Sequence, residues 1–173
     1  MTLVRRTAVA LGAAGLALGA PTAPALADAK ARDIRVQGPT YVYKDPRYAR
    51  AKTWVRVSYG RRSTTVRFLA TGLPRKAVGK TLGVHVHKNK CGRKPSAAGP
   101  HYQRAGAGRG TPLRYKEIWL DVKVRPDRTA RSVARVPWRV GRGQAGSVVM
   151  HAKPTDRKTG DAGDRLVCTT VPF

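Results

Sequence analysis

Apolar and polar residues alternate along much of this chain with the period expected of strands that are buried on one face. Segments rich in β-branched and aromatic residues occupy residues 54–57, 64–69, 81–87, 118–124, 130–136, 147–151 and 166–171. Turn-forming residues separate them, as at Pro74, Gly79 and Pro126. No stretch has a helical period. The pattern predicts an all-β fold of seven to eight short antiparallel strands, arranged as a sandwich or a Greek-key barrel.

Two long polar stretches interrupt this pattern and are predicted to be loops. Residues 88–116 are rich in Gly, Arg and Pro and contain Cys91 and His101. Residues 152–165 contain Asp156, Asp161, Asp164 and Arg165. Long loops in compact domains often carry functional residues.

The first 27 residues are typical of a secretory signal peptide. Arg5 and Arg6 precede an Ala/Leu/Gly stretch at 7–20, and Ala25-Leu26-Ala27 resembles a cleavage site. Retention as an uncleaved anchor is the alternative, although the apolar stretch is short for a membrane span. We expect a secreted or wall-associated protein without a membrane span, in which residues 28–53 form an arm with a short strand and residues 54–173 form the β domain.

Cys91 and Cys168 are the only cysteines. Export would place them in an oxidising compartment, which favours one disulfide over two free thiols. A bridge that closes so long a loop contributes about 4 kcal/mol in the chain-entropy model.

The formal net charge is +26. A field of this sign attracts small anions, nucleic acid, anionic wall polymers or acidic lipid head groups. The alternative is a solvated, arginine-rich surface with no particular partner.

The four histidines indicate a metal site. His85 and His87 are two positions apart on a predicted strand, so both project from one face while Val86 points the other way. His101 lies in the first predicted loop, and His151 ends a strand. A single histidine is more often a hydrogen-bonded core or surface residue, but the grouping favours metal. Imidazole ligands suit copper, zinc or nickel and argue against calcium.

Beyond these patterns, residues 63–173 resemble the copper-zinc superoxide dismutase family, and more closely its secreted bacterial copper-only members. The resemblance is carried by Cys91 and by four segments, which are Gly-Val-His-Val-His at 83–87, Ala-Gly-Pro-His-Tyr at 98–102, Val-Val-Met-His-Ala at 148–152 and Gly-Asp-Ala-Gly-Asp-Arg-Leu-Val-Cys at 160–168. It implies an immunoglobulin-like Greek-key β-sandwich.

The resemblance also implies the roles of individual residues. The copper ligands would be His85, His87, His101 and His151. Cys91 and Cys168 would form the family's disulfide, and Arg165 would guide superoxide to the metal. His101 would be the proton donor.

The chain departs from the family where zinc is bound. Arg114-Tyr115-Lys116-Glu117-Ile118 replaces the family's His-x-Gly-Asp-Leu motif, and no histidine remains to complete a zinc site. We therefore expect one copper ion per chain without zinc. A metal-bound imidazole usually has its second nitrogen held by another group. Glu117 or Asp121 could hold that of His101, or either could be a solvent-facing strand residue.

Three functions remain open at this level. The first is a secreted copper-dependent superoxide dismutase. The second is an extracellular copper-binding or copper-buffering protein of the same fold with little turnover. The third is electrostatic tethering to nucleic acid or cell-wall polymers, which could accompany either of the others.

Overall fold

The computed structural model describes residues 33–43 and 45–173, which are built almost entirely from β-strands. The strands are β1 Asp33–Gly38, β2 Tyr41–Val42, β3 Lys52–Tyr59, β4 Thr64–Thr71, β5 Thr81–Leu82, β6 Val84–His87, β7 Val122–Lys123, β8 Ala130–Val136, β9 Ser147–His151 and β10 Arg165–Thr170. Short 3-10 helices occupy Pro46–Tyr48, Arg75–Ala77, Pro95–Ala98 and Leu113–Tyr115. None of the described helices is long and apolar enough for a membrane span. The predicted signal peptide, residues 1–27, lies outside the described residues.

Two four-stranded antiparallel sheets form the body of the domain. The first sheet has the order β1-β3-β4-β8 and the second β2-β10-β9-β6, while β5 and β7 form a separate two-stranded ladder. The chain passes repeatedly from one sheet to the other, as in a Greek-key sandwich. The predicted all-β antiparallel fold is confirmed.

Alternation along the first sheet explains its packing. On β4, Val66, Phe68 and Ala70 are buried in the main core, while Arg67 and Leu69 point to solvent. A one-residue shift in register would exchange these two sets, so the buried face fixes the register.

In the second sheet, strands β6 and β9 are buried on both faces. Val84 and Val86 of β6 pack into the main core, as do Val148 and Met150 of β9. The opposite face is covered by two loops, which we call loop 1 (88–121, between β6 and β7) and loop 2 (152–164, between β9 and β10). The side chains of His85, His87 and His151 lie on this loop-covered face.

The segment predicted as an arm contributes strands to both sheets. All six residues of β1 pair with β3, and β2 pairs with β10. The predicted single short strand is therefore two strands. Ile34 supplies a core contact that holds this segment against the domain.

Two predicted strands are interrupted. The strand at 81–87 divides at Gly83, whose N–H donates to the Lys153 carbonyl and whose carbonyl accepts from the His151 N–H. Residues 118–124 contain only the short β7, although Leu120 N–H donates to the Val84 carbonyl. These bonds to β6 are too sparse for a continuous ladder.

Candidate metal centre

The four histidines converge at one point between the second sheet and its loops. One ring nitrogen from each of His85, His87, His101 and His151 lies within 4.8 Å of the other three. β6 presents His85 and His87, and the end of the neighbouring β9 presents His151. His101 arrives from loop 1 through a bridge between its backbone and that of His87. The predicted grouping of the imidazoles is thus present in the fold.

Backbone carbonyls fix the protonation of two rings. Nδ1 of His87 lies 3.0 Å from the Gly99 carbonyl oxygen, and Nδ1 of His151 lies 3.0 Å from that of Gly163. A carbonyl only accepts, so each Nδ1 carries the proton and each Nε2 presents a lone pair. These two Nε2 atoms are 3.2 Å apart. Two facing lone pairs repel one another, and a cation between them would remove the repulsion.

His85 is held in the opposite tautomer. The Thr155 hydroxyl donates to an oxygen of Asp121, and the Thr155 N–H donates to the other oxygen of the same carboxylate. With its proton committed, the hydroxyl oxygen accepts from Nε2 of His85 at 2.7 Å. Nδ1 of His85 is then unprotonated, and it is buried without any hydrogen-bond partner. An orphaned buried nitrogen is costly unless a ligand uses its lone pair.

The fourth ring is held by a carboxylate. Nδ1 of His101 donates to Oε2 of Glu117 at 3.0 Å. Glu117 is buried and also accepts from Trp119 Nε1 at 2.7 Å and from Gln103 Nε2 at 2.9 Å. Burial raises the pKa of Glu117, but these three hydrogen bonds outweigh it and leave the pKa below its usual value. The ionised carboxylate therefore directs Nε2 of His101 towards the other rings.

Loop 2 encloses this contact. Gly160 has φ of +75°, and a Cβ built there would lie 3.6 Å from Glu117 Oε2 and 3.8 Å from His101 Nδ1. The tightest contact of such a Cβ would be with Leu113 Cδ1 at 3.0 Å, and the positive φ itself favours glycine at this position.

The two acidic residues proposed for His101 have different positions. Glu117 holds His101, as described above. Asp121 instead contacts Thr155, and its nearest histidine contact is with His85, 3.9 Å from Nε2. Since Asp121 orients Thr155, it positions His85 rather than His101.

The donor set fits a late first-row transition metal. Burial lowers the pKa of His85 well below its usual value, that of His87 to about 2 and that of His151 to about 4. These three rings are therefore neutral near pH 7, as ligation requires. Imidazole nitrogens without a carboxylate or thiolate among them suit copper, nickel or zinc and do not suit calcium.

Arg165 lies beside this cluster and braces loop 1. Its two terminal nitrogens donate to the carbonyls of Pro95 and Gly99, each at 2.6 Å. The Gly99 carbonyl also accepts from His87, so one peptide oxygen links the arginine to one of the four imidazole rings. A guanidinium has five N–H donors, so these two bonds leave three further donors.

The disulfide fixes loop 1 on the second sheet. Cys91 and Cys168 are bonded, with Cα atoms 5.9 Å apart, so the predicted pairing is confirmed. The buried Cys168 packs with Ala98 and Tyr43, and the Tyr43 hydroxyl donates to the Gly92 carbonyl. The covalent link thereby holds the backbone that accepts from Arg165 and His87.

Access to the cluster is one-sided. The His101 side chain is 17% exposed, whereas His85 and His87 are fully buried and His151 is nearly so. A small molecule would therefore approach along the edge of His101.

Sequence reasoning missed Thr155, Trp119 and Gln103. Threonine, tryptophan and glutamine occur throughout proteins as ordinary polar or packing residues, and no spacing singles these out. The one available signal was the alternation of Glu117, Trp119 and Asp121, which places three polar groups on one face of an extended segment.

No family model and no curated protein matches the chain. Among solved structures, superoxide dismutase 5 of Candida albicans with Cu(II) is 16% identical with a TM-score of 0.49, over 81% of this chain and 92% of that chain. A mutant of the same Candida albicans protein is 14% identical with a TM-score of 0.49, over 82% of this chain and 92% of that chain. At this level of similarity no activity follows for this chain, and its function has to be argued from its own residues.

Proposed function

We propose that this protein is a copper-dependent superoxide dismutase. The observation that carries the proposal is the convergence of four imidazole nitrogens, each on a ring whose other nitrogen is held by a named partner. Such secondary contacts fix ring orientation and tautomer at metal sites. The segments that resemble the copper-zinc superoxide dismutase family contain these same histidines.

His85 would ligate through Nδ1, and His87, His101 and His151 through Nε2. Copper has the highest affinity for such sites among the divalent first-row metals. Bound there, it would supply one-electron redox chemistry, oxidising one superoxide to oxygen and reducing a second, with two protons, to hydrogen peroxide.

Arg165 would hold the substrate anion. Its guanidinium stays charged at any physiological pH and offers directional donors. Two of its nitrogens are already fixed on carbonyls, so the group is oriented before the anion arrives. The strongly positive surface would raise the rate of encounter with superoxide.

In the reduced site Nε2 of His101 would no longer ligate, and it would instead carry one proton and deliver it to the reduced product. Throughout, its Nδ1 would remain on Glu117, whose negative charge stabilises the protonated ring. The partial exposure of the ring lets Nε2 recover a proton from solvent.

The same contact supports a site without zinc. The family resemblance implies that His101 would bridge copper and zinc, but here its Nδ1 donates to Glu117. Gln103 and Trp119 also donate to that carboxylate, so three of its roughly four acceptor positions are occupied.

We further propose that the protein acts outside the cytoplasm. The disulfide supports this location, because such bonds persist where thiols oxidise. The signal-peptide pattern at 1–27 points the same way.

Copper storage is the second candidate function. This function is favoured by the contacts of Arg165, whose two terminal nitrogens both donate to backbone carbonyls of loop 1. An arginine retained only for this bracing role would not promote turnover.

Superoxide consumption separates the two functions. The copper-loaded protein should consume superoxide faster than the same concentration of aqueous copper, and His85→Ala should lose this activity. Arg165→Ala should lower the rate while copper remains bound, whereas Arg142→Ala, which removes an exposed charge elsewhere, should have little effect. A loaded protein no faster than free copper would reject the enzyme and leave the storage function.

A further inference from the structure

The outer face of the first sheet carries a dense cluster of cations. The outward residues of β1, β3, β4 and β8 include Lys52, Arg35, Arg56, Arg67, Arg131 and Arg135. Asp33 is the one carboxylate among the outward residues of these four strands. We call this surface the arginine face; it lies on the opposite sheet from the histidines.

Strand register places the arginines in a row. Arg35 pairs directly with Arg56, and Arg56 pairs directly with Arg67. Arg67 in turn faces Val133, which Arg131 and Arg135 flank on β8. Adjacent strands lie about 4.8 Å apart, so the guanidinium groups form a band across the sheet. Like charges directly opposite one another destabilise a sheet, and an anionic ligand would relieve this repulsion.

The positive charges of this arginine row are only partly neutralised by carboxylates of the protein itself. Asp33 accepts from Arg56 at 3.1 Å and from Arg35 at 3.3 Å, so a single carboxylate serves two arginines. In the part of the chain that the structure describes, Arg67, Arg131 and Arg135 have no carboxylate partner within ion-pair distance.

An apolar groove accompanies the row. Trp54 follows the same face of β3 as Arg56 and pairs across the sheet with Leu69, which is 37% exposed. Together with Arg35 and Arg67 they line a groove of about 420 Å³. A cationic row beside an aromatic ring is how proteins bind single strands, with phosphates on the cations and a base on the ring.

We propose that the arginine face binds single-stranded nucleic acid without sequence preference. The row contacts successive phosphates, with bidentate hydrogen bonds from the guanidinium forks. Trp54 stacks on one base beside the row. The flat face has no helix to enter a duplex groove, and a base-free polyanion would leave Trp54 and Leu69 without a partner.

Binding of a fluorescent oligothymidylate to the purified protein tests this proposal. Arg67→Gln should weaken binding several-fold and reduce the slope of log affinity against log salt by about one. Arg109→Gln removes the same charge from loop 1 and should change affinity much less. Equal effects of these two variants would overturn the proposal, because binding would then follow total charge alone.

Abasic oligomer and inorganic polyphosphate test the role of the bases. Trp54→Leu should weaken oligothymidylate binding about tenfold and leave binding of the abasic oligomer unchanged. Trp54→Tyr keeps an aromatic ring for stacking and should retain much of the affinity for oligothymidylate. If polyphosphate binds as tightly as oligothymidylate and Trp54→Leu has no effect, the ligand is a base-free polyanion and the proposal is wrong. The Arg67 variant should retain superoxide consumption, so failure here is separable from failure of the proposed enzyme.

Discussion

Glu117 accepts a hydrogen bond from Nδ1 of His101 at 3.0 Å, and this contact occupies the nitrogen that would otherwise be free for a second metal. The carboxylate is buried and shares its oxygens with Trp119 and Gln103. The orientation of the most exposed ring of the cluster therefore depends on one ionised side chain.

Replacing Glu117 by Gln should weaken copper binding by about 10- to 100-fold, as expected for loss of a group that orients a metal-bound imidazole. The variant removes the negative charge but keeps the size of the side chain. Copper affinity can be measured by competition with a chelator. Asp127→Asn, which alters an exposed turn carboxylate, is the control and should bind as the wild type does. Equal affinities of the Glu117 variant and the wild type would contradict this role.

Thr155 sets the tautomer of His85, because its hydroxyl accepts from Nε2 and donates to Asp121. Thr155→Val removes the acceptor, so Nδ1 of His85 can carry the proton instead and copper binding should fall by about tenfold. Thr155→Ser keeps the hydroxyl and should behave as the wild type in the same competition assay. Similar losses in Val and Ser variants would show that packing, not the hydrogen bond, matters at this position.

Reduction of Cys91–Cys168 should lower the free energy of unfolding by about 4 kcal/mol, since the bond closes a long loop in the unfolded chain. Denaturant unfolding with and without reductant measures this difference. Superoxide consumption should also fall, because the bond holds the loop whose carbonyls accept from Arg165. Cys91→Ser in oxidising buffer should reproduce both effects, and an unchanged unfolding midpoint would disprove the stabilising role.

The metal-free protein should lose stability as the pH falls below about 6.5, the pKa of histidine in the unfolded chain. Burial lowers the pKa of His87 to about 2 and that of His151 to about 4 in the folded state. Above pH 6.5 both states are neutral and these rings have no effect. Below pH 6.5 these rings take up protons in the unfolded chain but not yet in the folded protein. Each such ring therefore lowers the free energy of unfolding by roughly 1.4 kcal/mol per pH unit.

Denaturant unfolding of the metal-free protein between pH 7 and pH 4 measures this dependence. His151→Gln should reduce the slope of the free energy of unfolding against pH by the equivalent of about one bound proton. This difference from the wild type should disappear below about pH 4, where His151 is protonated in the folded state as well. A stability that does not change from pH 6.5 to pH 5 would contradict neutral burial of these rings.

The sequence predicted those parts of the fold in which one face of a strand is buried. β4 was evident because Val66 and Phe68 flank Arg67, and β8 because Ala134 and Val136 flank Arg135. β2, β5 and β7 have two residues each, too short for any periodicity to appear. β1 was underestimated because its pairing depends on the whole of β3, which alternation within β1 cannot reveal.

The candidate metal centre was likewise predictable only in part from the sequence. The histidines are rare residues in recognisable segments, so their grouping could be predicted, and Glu117 was one of two acidic candidates for His101. Only three-dimensional packing distinguishes Glu117 from Asp121, because both lie on one extended segment but face different rings. Thr155 could not be found, since its role depends on loop 2 folding back over His85.

Metal analysis combined with electron paramagnetic resonance of the copper-loaded protein tests the central claim most directly. The account predicts one copper and no zinc per chain, with a Cu(II) spectrum that shows nitrogen ligands and is altered by His85→Ala. Binding of zinc in place of copper, or a copper spectrum unaffected when His85 is replaced, would contradict a centre formed by the four imidazoles.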